Sequence, residues 1–322
     1  MPDRRLVVLV TEWIDPAGIE VLKSFASVVQ LAQADEPTVR AAAPPAAAIL
    51  TRVAPITAAV LDDAPDLRLV QKHGVGVDNI DVARATQRRV PVCYTPEANA
   101  VAVAEHAVTA ALAAFKRLAF QDALVREGRW RDAMRPPVPE LDGRIAGIIG
   151  GGRIGRRVLT TLVRGFGMHG LVHDPFIPDD TIRSWGAEPE ALEGLLGRAD
   201  LVSLHVPLTP ATRHLINART LALMRPTAVL VNTCRGPVVH EADLAQALRD
   251  GRIAGAAIDV FETEPPRGSP LLHAPNVMLS PHNAGLTRES NPRLAIHAAE
   301  EIRRVLHGEP PRWCLNPQVL AP

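Results

Sequence analysis

The sequence has little cysteine, no excess of charge of either sign, and no apolar run long enough to cross a bilayer. Its three cysteines, Cys93, Cys234 and Cys314, lie far apart and form no CxxC pair. Spacing therefore supports neither a disulfide framework nor a zinc site, and a reducing, cytoplasmic setting is expected. The 35 Lys and Arg residues are balanced by 35 Asp and Glu, without a long run of either sign. That excludes the electrostatic footprint of nucleic-acid or anionic-membrane binding and leaves small-molecule chemistry. After Met1-Pro2-Asp3-Arg4-Arg5, the first apolar stretch begins at Leu6 and covers only about six residues, too few for a signal-peptide core or a membrane span. A first buried strand is expected there.

What is present is an ordinary globular composition: 322 residues, 47% hydrophobic and 22% charged, a length at which a chain usually divides into two domains. Short apolar runs at 6–10, 47–50, 67–71, 145–149, 170–173, 201–204, 228–231 and 255–258 alternate with longer amphipathic stretches. Strands buried on both faces read as continuous apolar runs, so the pattern predicts βαβ units and an α/β fold with parallel sheets. Residues 41–48 read as a loop, and the proline cluster Arg135-Pro136-Pro137-Val138-Pro139 as a divider. A helix over about 100–118 is apolar nearly all round, with Val101, Val103, Ala104, Ala107, Val108, Ala111, Leu112 and Phe115. This predicts burial between domains or between subunits, and a homodimer.

The run Ile145–Ile149 leads into Gly150-Gly151-Gly152-Arg153-Ile154-Gly155 and an apolar-striped helix. Gly150, Gly152 and Gly155 match GxGxxG: the first allows the tight turn, the second lets backbone approach a pyrophosphate, and the third lets helix and strand pack closely. A three-glycine turn alone has a plain structural reading. Asp174, nineteen positions beyond Gly155 and just after the next strand, adds the acid that accepts hydrogen bonds from an adenosine ribose. Its carboxylate repels a 2′-phosphate, so NAD (NADH) is favoured over NADP.

Further motifs follow in order: Lys72-His73-Gly74-Val75-Gly76-Val77-Asp78-Asn79-Ile80-Asp81, then Ala199 to Thr209 with His205-Val206-Pro207, then Val231-Asn232-Thr233-Cys234-Arg235-Gly236, Asp259 to Pro266, and Ser280-Pro281-His282-Asn283-Ala284-Gly285. Over about 45–290 the chain resembles the D-isomer-specific 2-hydroxyacid dehydrogenase family. The resemblance implies two Rossmann-like, doubly wound domains, one inserted in the other. The substrate-binding domain would be 1–98 with 289–322, the NAD-binding domain 99–288, and the active site the cleft between them. It implies hydride transfer between nicotinamide and a small 2-hydroxy or 2-keto acid. Arg235 would bind substrate, Glu264 would be the acid partner and His282 the proton donor and acceptor. It further assigns Arg153, Ile154, His205, Pro207, Thr209, Thr233, Cys234, Asp259 and Gly285 to the cofactor, and Val75 and Gly76 to the substrate carboxylate. Arg52 stands where members acting on phosphorylated substrates carry a basic residue; a surface arginine is the equal alternative.

The chemistry supports these assignments independently. Hydride leaving a carbinol carbon requires loss of the hydroxyl proton, and an imidazole, ordinarily titrating near 6.5, can take and return it. A neighbouring carboxylate orients the ring and favours imidazolium. A guanidinium fork pairs a substrate carboxylate and polarises the carbonyl oxygen. Three departures from the family pattern stand out: Gly151 where a bulky apolar residue is usual, Glu97 where glycine is common, putting hinge geometry in doubt, and His240 where an acid is usual. Two other readings share the scaffold, an NAD-sensing corepressor-like binding protein and a phosphite dehydrogenase; Glu264 argues against formate.

Overall fold

In the computed structural model, which describes residues 6–134 and 137–320, the chain forms two compact units. One comprises Met1–Asn99 and Leu286–Pro322, the other Ala100–Gly285. Arg135 and Pro136 of the proline cluster, and Met1 to Arg5, lie outside the described residues.

The first unit carries β1 (Val7–Val10), β2 (Ser27–Gln30), β3 (Ala48–Thr51), β4 (Leu69–Lys72) and β5 (Val92–Cys93), ordered β2-β1-β3-β4-β5. The second carries β6 (Ile145–Ile149), β7 (His169–His173), β8 (Ala187–Pro189), β9 (Leu201–Leu204), β10 (Val229–Asn232), β11 (Gly255–Ile258) and β12 (Val277–Leu279), ordered β12-β11-β10-β9-β6-β7-β8. Every pairing between these strands is parallel.

Alternate residues of each sheet feed two separate cores. Val8, Val10, Leu50 and Leu69 pack on one face of the first sheet, and Leu9, Ile49, Val70 and Val92 on the other. In the second, Leu171, Val202, Leu204 and Leu230 oppose Ile148, Val172, Leu201 and Val231. Helices cover both faces, so the inner strands are mostly apolar, with Thr51, Gln71, Lys72, Ser203 and Asn232 as buried polar exceptions.

The eight apolar runs all become strands. The four strands without such a signal, β2, β5, β8 and β12, are the four sheet edges. An edge strand is short or partly solvated, so no continuous apolar run marks it: β2 is largely exposed along its length, whereas β5 is buried but only two residues long.

The apolar helix spans Ala100–Phe115, and Arg117 in the left-handed region turns the chain into a second helix, Leu118–Arg126. The expectation of burial between domains or subunits is corrected in part. Its buried residues Ala104, Ala107, Val108 and Ala111 lie in the core formed by β6, β10 and helix Arg153–Phe166 of the same unit. The helix is apolar on several sides because it meets a sheet and a helix at once.

Candidate active site

Strand order in the second sheet reverses at β6, where β7 and β8 lie on one side and β9 to β12 on the other. In open α/β sheets ligands collect beyond the carboxyl ends of the strands at such a reversal. The glycine loop sits there. Gly150 has φ +96°, and a Cβ on it would meet the His205 carbonyl oxygen at 2.5 Å. A Cβ on Gly155 would lie 2.0 Å from the Gly150 oxygen, so the helix Arg153–Phe166 approaches β6 only with glycine at that place. Before Gly152 the space is open to 4 Å, and no side chain caps the helix it begins. A long helix N-terminus faced by open space and a bare backbone fits a pyrophosphate.

Asp174 closes this loop from the end of β7. Its carboxylate accepts from the Gly151 N–H at 2.8 Å and from the Phe176 N–H at 2.9 Å. The unusual Gly151 has a steric reason: a Cβ there would press on Ile177 at 2.9 Å and on the Trp185 indole at 3.2 Å. These side chains fill the volume that a larger residue at 151 would need. Arg156 stacks over the same indole at 5.1 Å.

Past β9, His205 donates its N–H to the Ile149 carbonyl and its ring contacts Ser203 Oγ at 2.9 Å. Burial lowers its pKa to about 3, so the ring is neutral at physiological pH. Pro207 and Thr209 follow in an exposed turn in which Thr212 accepts from the Thr209 N–H and donates to the Pro207 carbonyl. At the end of β10, Thr233 Oγ1 is buried and finds no partner within the protein. An orphaned hydroxyl at the carboxyl end of a central strand fits a missing ligand group.

Three loops bring the proposed reacting residues together. After β10, Asn232, fully buried, accepts from the Cys234 N–H at 3.1 Å and donates to the Arg235 carbonyl at 2.9 Å. This closes the turn that presents Arg235. Gly236 then crosses the chain after β11 so closely that a Cβ would fall 1.9 Å from the Phe261 carbonyl carbon and oxygen. The arginine turn is thus packed backbone to backbone on the segment that carries Glu264. That segment is also held from the other side: Glu241, buried at the start of helix Glu241–Arg249, accepts from the Glu262 N–H at 2.5 Å and from the Ser269 hydroxyl.

Glu264 Oε2 lies 2.6 Å from His282 Nδ1, and Oε1 accepts from the Phe261 N–H at 3.0 Å. Burial pushes the Glu264 carboxyl up, but the His282 hydrogen bond, the Phe261 N–H and the charges of His282 and Arg235 outweigh it and hold it below its ordinary value. A carboxylate only accepts, so Nδ1 is the donor and Nε2 is the ring atom left to exchange a proton. The pair borders a cavity of 450 Å³ whose other walls, Ser280 apart, are apolar, among them Phe261, Leu272, Leu279 and Pro281.

His282 itself sits at φ +51°, a left-handed conformation that costs a non-glycine residue about 1 kcal/mol or more. Asp259 at the end of β11 holds it there. The Asp259 carbonyl accepts from the His282 N–H at 2.7 Å. Its side chain, 1% exposed, accepts from Ser280 Oγ at 2.6 Å, the Asn283 N–H at 3.1 Å and the Ala284 N–H at 3.0 Å. Asp259 therefore organises the His282 loop, a role that the sequence did not suggest. His106, from helix Ala100–Phe115, adds a contact to Ser280 Oγ at 3.1 Å.

Of the remaining expected positions, Gly285 ends this loop, and Arg153 and Ile154 open helix Arg153–Phe166. Arg52, Val75 and Gly76 belong to the first unit. The Arg52 N–H is bound by the Glu12 carboxylate at 2.8 Å, and its carbonyl accepts from Lys72. Val75 is exposed, following Gly74 at φ +134°; the Gly74 N–H donates to Thr95 Oγ1 at 2.9 Å and its carbonyl accepts from the Thr95 N–H. Of the two other departures, Glu97 is exposed, and His240 stacks edge-on against His214 at 4.7 Å, with Nδ1 3.0 Å from Asp243.

Residues 108–284 match the D-isomer specific 2-hydroxyacid dehydrogenase, NAD binding domain. The glyoxylate reductase of Korarchaeum cryptofilum is 43% identical over 270 residues, 83% of this chain and 81% of that protein. The D-3-phosphoglycerate dehydrogenase of Methanocaldococcus jannaschii is 41% identical over 255 residues, 79% of this chain but 48% of that protein, so the chain spans about half the length of that relative. The crystal structure of an NADPH-dependent glyoxylate/hydroxypyruvate reductase from Sinorhizobium meliloti, in complex with NADP and malonate, superposes with a TM-score of 0.87. It is 31% identical and covers 97% of each chain. The chain belongs to the D-isomer specific 2-hydroxyacid dehydrogenase family.

Proposed function

We propose that the protein is an NAD-dependent D-2-hydroxyacid dehydrogenase working as a 2-keto acid reductase, and the observation that carries this is the Glu264–His282 pair at 2.6 Å beside Arg235. Bound at the glycine loop, a nicotinamide cofactor would supply the hydride. The protein's own residues do the rest. Arg235 binds the substrate carboxylate and draws electron density onto the carbonyl oxygen. His282 Nε2 delivers a proton to that oxygen as the carbinol forms, and Glu264, kept ionised, stabilises the imidazolium and fixes the ring. Gly150, Gly152, Arg153, Ile154 and Gly155 form the cradle for the pyrophosphate. His205, Pro207, Thr209, Thr233, Cys234 and Gly285 line the cofactor, and Asp259 reaches it through the loop it organises. Arg52, Val75 and Gly76 of the first, discontinuous unit belong to the substrate side of the same proposal. The test is NADH oxidation by the purified protein against 2-keto acids with and without phosphate, repeated with NADPH. Turnover with NADH is expected; binding of NADH without turnover on any of them would overturn the reading.

NAD is preferred over NADP in this proposal because the Asp174 carboxylate, pinned by two backbone N–H groups, faces the ribose with a fixed negative charge. Replacing Asp174 with Ala should lower the NADH to NADPH ratio of kcat/KM by about tenfold or more, a change of about 1.4 kcal/mol. An unaltered ratio would place the ribose elsewhere.

The depressed Glu264 carboxyl has a pH consequence. A carboxyl held below its ordinary 4.5 adds stability above that pH and loses it as pH falls through the lower folded value. The acid limb of keto acid reduction should therefore lie below pH 4.5; a Glu264-dependent limb above it would mean that the contacts do not act on the carboxyl.

A homodimer and a cytoplasmic location complete the proposal. Leu118, Phe120, Val125, Trp130 and Met134, all exposed on the segment after Phe115, are the apolar side chains that such a dimer would cover. Sedimentation equilibrium would detect a monomer and refute that part. Among the described residues no helix is long and apolar enough to cross a membrane.

A further inference from the structure

Two of the three cysteines, 93 and 314, meet in the first unit although most of the chain separates them. Cys93 ends the edge strand β5, and the segment after Trp313 runs antiparallel along it, with Cys93 and Cys314 as direct partners. The Leu315 N–H donates to the Val92 carbonyl at 2.9 Å and the Tyr94 N–H to the Trp313 carbonyl at 3.4 Å. These bonds bracket the cysteines, so the two form a non-hydrogen-bonded cross-strand pair. The Cα atoms of such a pair are about 4.5 Å apart, within the roughly 4.4–6.8 Å that a disulfide spans. Register is locked by Asn316, buried, which accepts from the Val92 N–H at 2.8 Å and donates to the Val90 carbonyl at 2.9 Å and to Thr86 Oγ1 at 3.0 Å.

We propose that Cys93 and Cys314 are a redox modification site, oxidised by a hydroperoxide to an intramolecular cystine that fastens the 313–316 segment to β5. The site is independent of the dehydrogenase reading. Cys93 is wholly buried and Cys314 partly exposed, so Cys314 is the sulfur that an oxidant reaches. The Cys93 thiol beside it holds the Cys314 pKa down, while the Cys314 sulfur and burial push that of Cys93 up; the exposed sulfur, whose own S–H donates to Asn316 Oδ1 at 3.3 Å, is thus the more thiolate-rich of the two. In the first step the Cys314 thiolate attacks the terminal oxygen of the hydroperoxide. The O–O bond breaks, an alcohol or water leaves with the proton, and Cys314 becomes a sulfenic acid. The Cys93 sulfur then loses its proton and attacks the Cys314 sulfur, the S–O bond breaks and water leaves. Two thiols are oxidised and one hydroperoxide is reduced. Cys234 provides a contrast: burial pushes its thiol up to about 11, which leaves it protonated and unreactive.

The test is to treat the folded, reduced protein with hydrogen peroxide, alkylate remaining thiols and map peptides without reduction. The expected result is a peptide pair joined through Cys93 and Cys314 that dithiothreitol separates, with Cys234 alkylated. The oxidised protein should melt higher by about 5 °C, since the bridge closes a loop of more than two hundred residues. In Cys314→Ser, a change at a partly exposed position, Cys93 should remain reduced; in Cys93→Ala, dimedone should trap a sulfenic acid on Cys314. Separate alkylation of both cysteines after oxidation, bridging between chains, or preferential oxidation of Cys234 would each overturn the proposal. So would unchanged oxidation of Cys93 in Cys314→Ser.

Discussion

Replacing His282 with Ala should cut keto acid reduction by about 10²- to 10⁴-fold, the range contributed by a positioned general acid, while NADH affinity stays within about twofold of wild type, because no cofactor contact is removed. The separation of the two effects is the diagnostic part. The ring is linked to the protein through Glu264 at 2.6 Å, so its loss removes the proposed proton donor while the loop keeps its other anchors. Asp259 still holds the loop through Ser280, Asn283 and Ala284. Single-turnover hydride transfer and NADH fluorescence titration measure the two quantities. Equal turnover in wild type and variant would remove His282 from the reaction; a parallel loss of NADH affinity would mean that the loop, not the proton, was disturbed.

Gly236→Ala should be nearly as severe for a different reason. The added methyl would overlap the Phe261 carbonyl at 1.9 Å and crowd the Glu262 nitrogen at 2.5 Å. These are backbone atoms, and Glu241 anchors that segment from behind, so neither side yields cheaply. Overpacking costs about 1–3 kcal/mol and occasionally more; backbone on both sides places this case near 3 kcal/mol. A displacement of about 1 Å between Arg235 and Glu264 would lower turnover by about 10²-fold. Calorimetric melting and kcat/KM report the two effects together. A variant of wild-type stability and activity would show that the turns can slide apart without consequence.

Much of the fold was legible because the inner strands are buried on both faces and say so in apolar runs; β2 escaped because it is largely exposed, and β5, β8 and β12 because they are only two or three residues long. The residues proposed to carry the chemistry are picked out in the sequence by motifs, and their mutual placement is not. Asn232 and Glu241 carry no signal of their own in the sequence, and Asp259 is assigned there to the cofactor and not to the loop it holds, since the groups the three bind, Arg235, Glu262 and the 280–284 loop, are brought to them only by folding. Gly236 read as one letter of a motif, without a hint that a second chain segment passes within bonding distance of its missing Cβ. The left-handed His282 was invisible for the same reason: the Asp259 carbonyl that accepts from its N–H comes from a distant part of the chain, alongside the nearer Ser280 carbonyl. The pairing of Cys93 with Cys314 lies at the limit of this class, because nothing local distinguishes a solitary cysteine from one with a distant partner.

The order of the second sheet puts Asp174, after β7, and His282, after β12, on opposite flanks of the same platform, five strand steps apart. At about 4.8 Å per step this is roughly 24 Å, well beyond the distance at which substitutions couple. On the proposed roles, nucleotide choice and proton delivery are independent dials. Changes that retune one should multiply with changes that retune the other, which lets the protein exchange one reducing currency for another without rebuilding the chemistry that uses it.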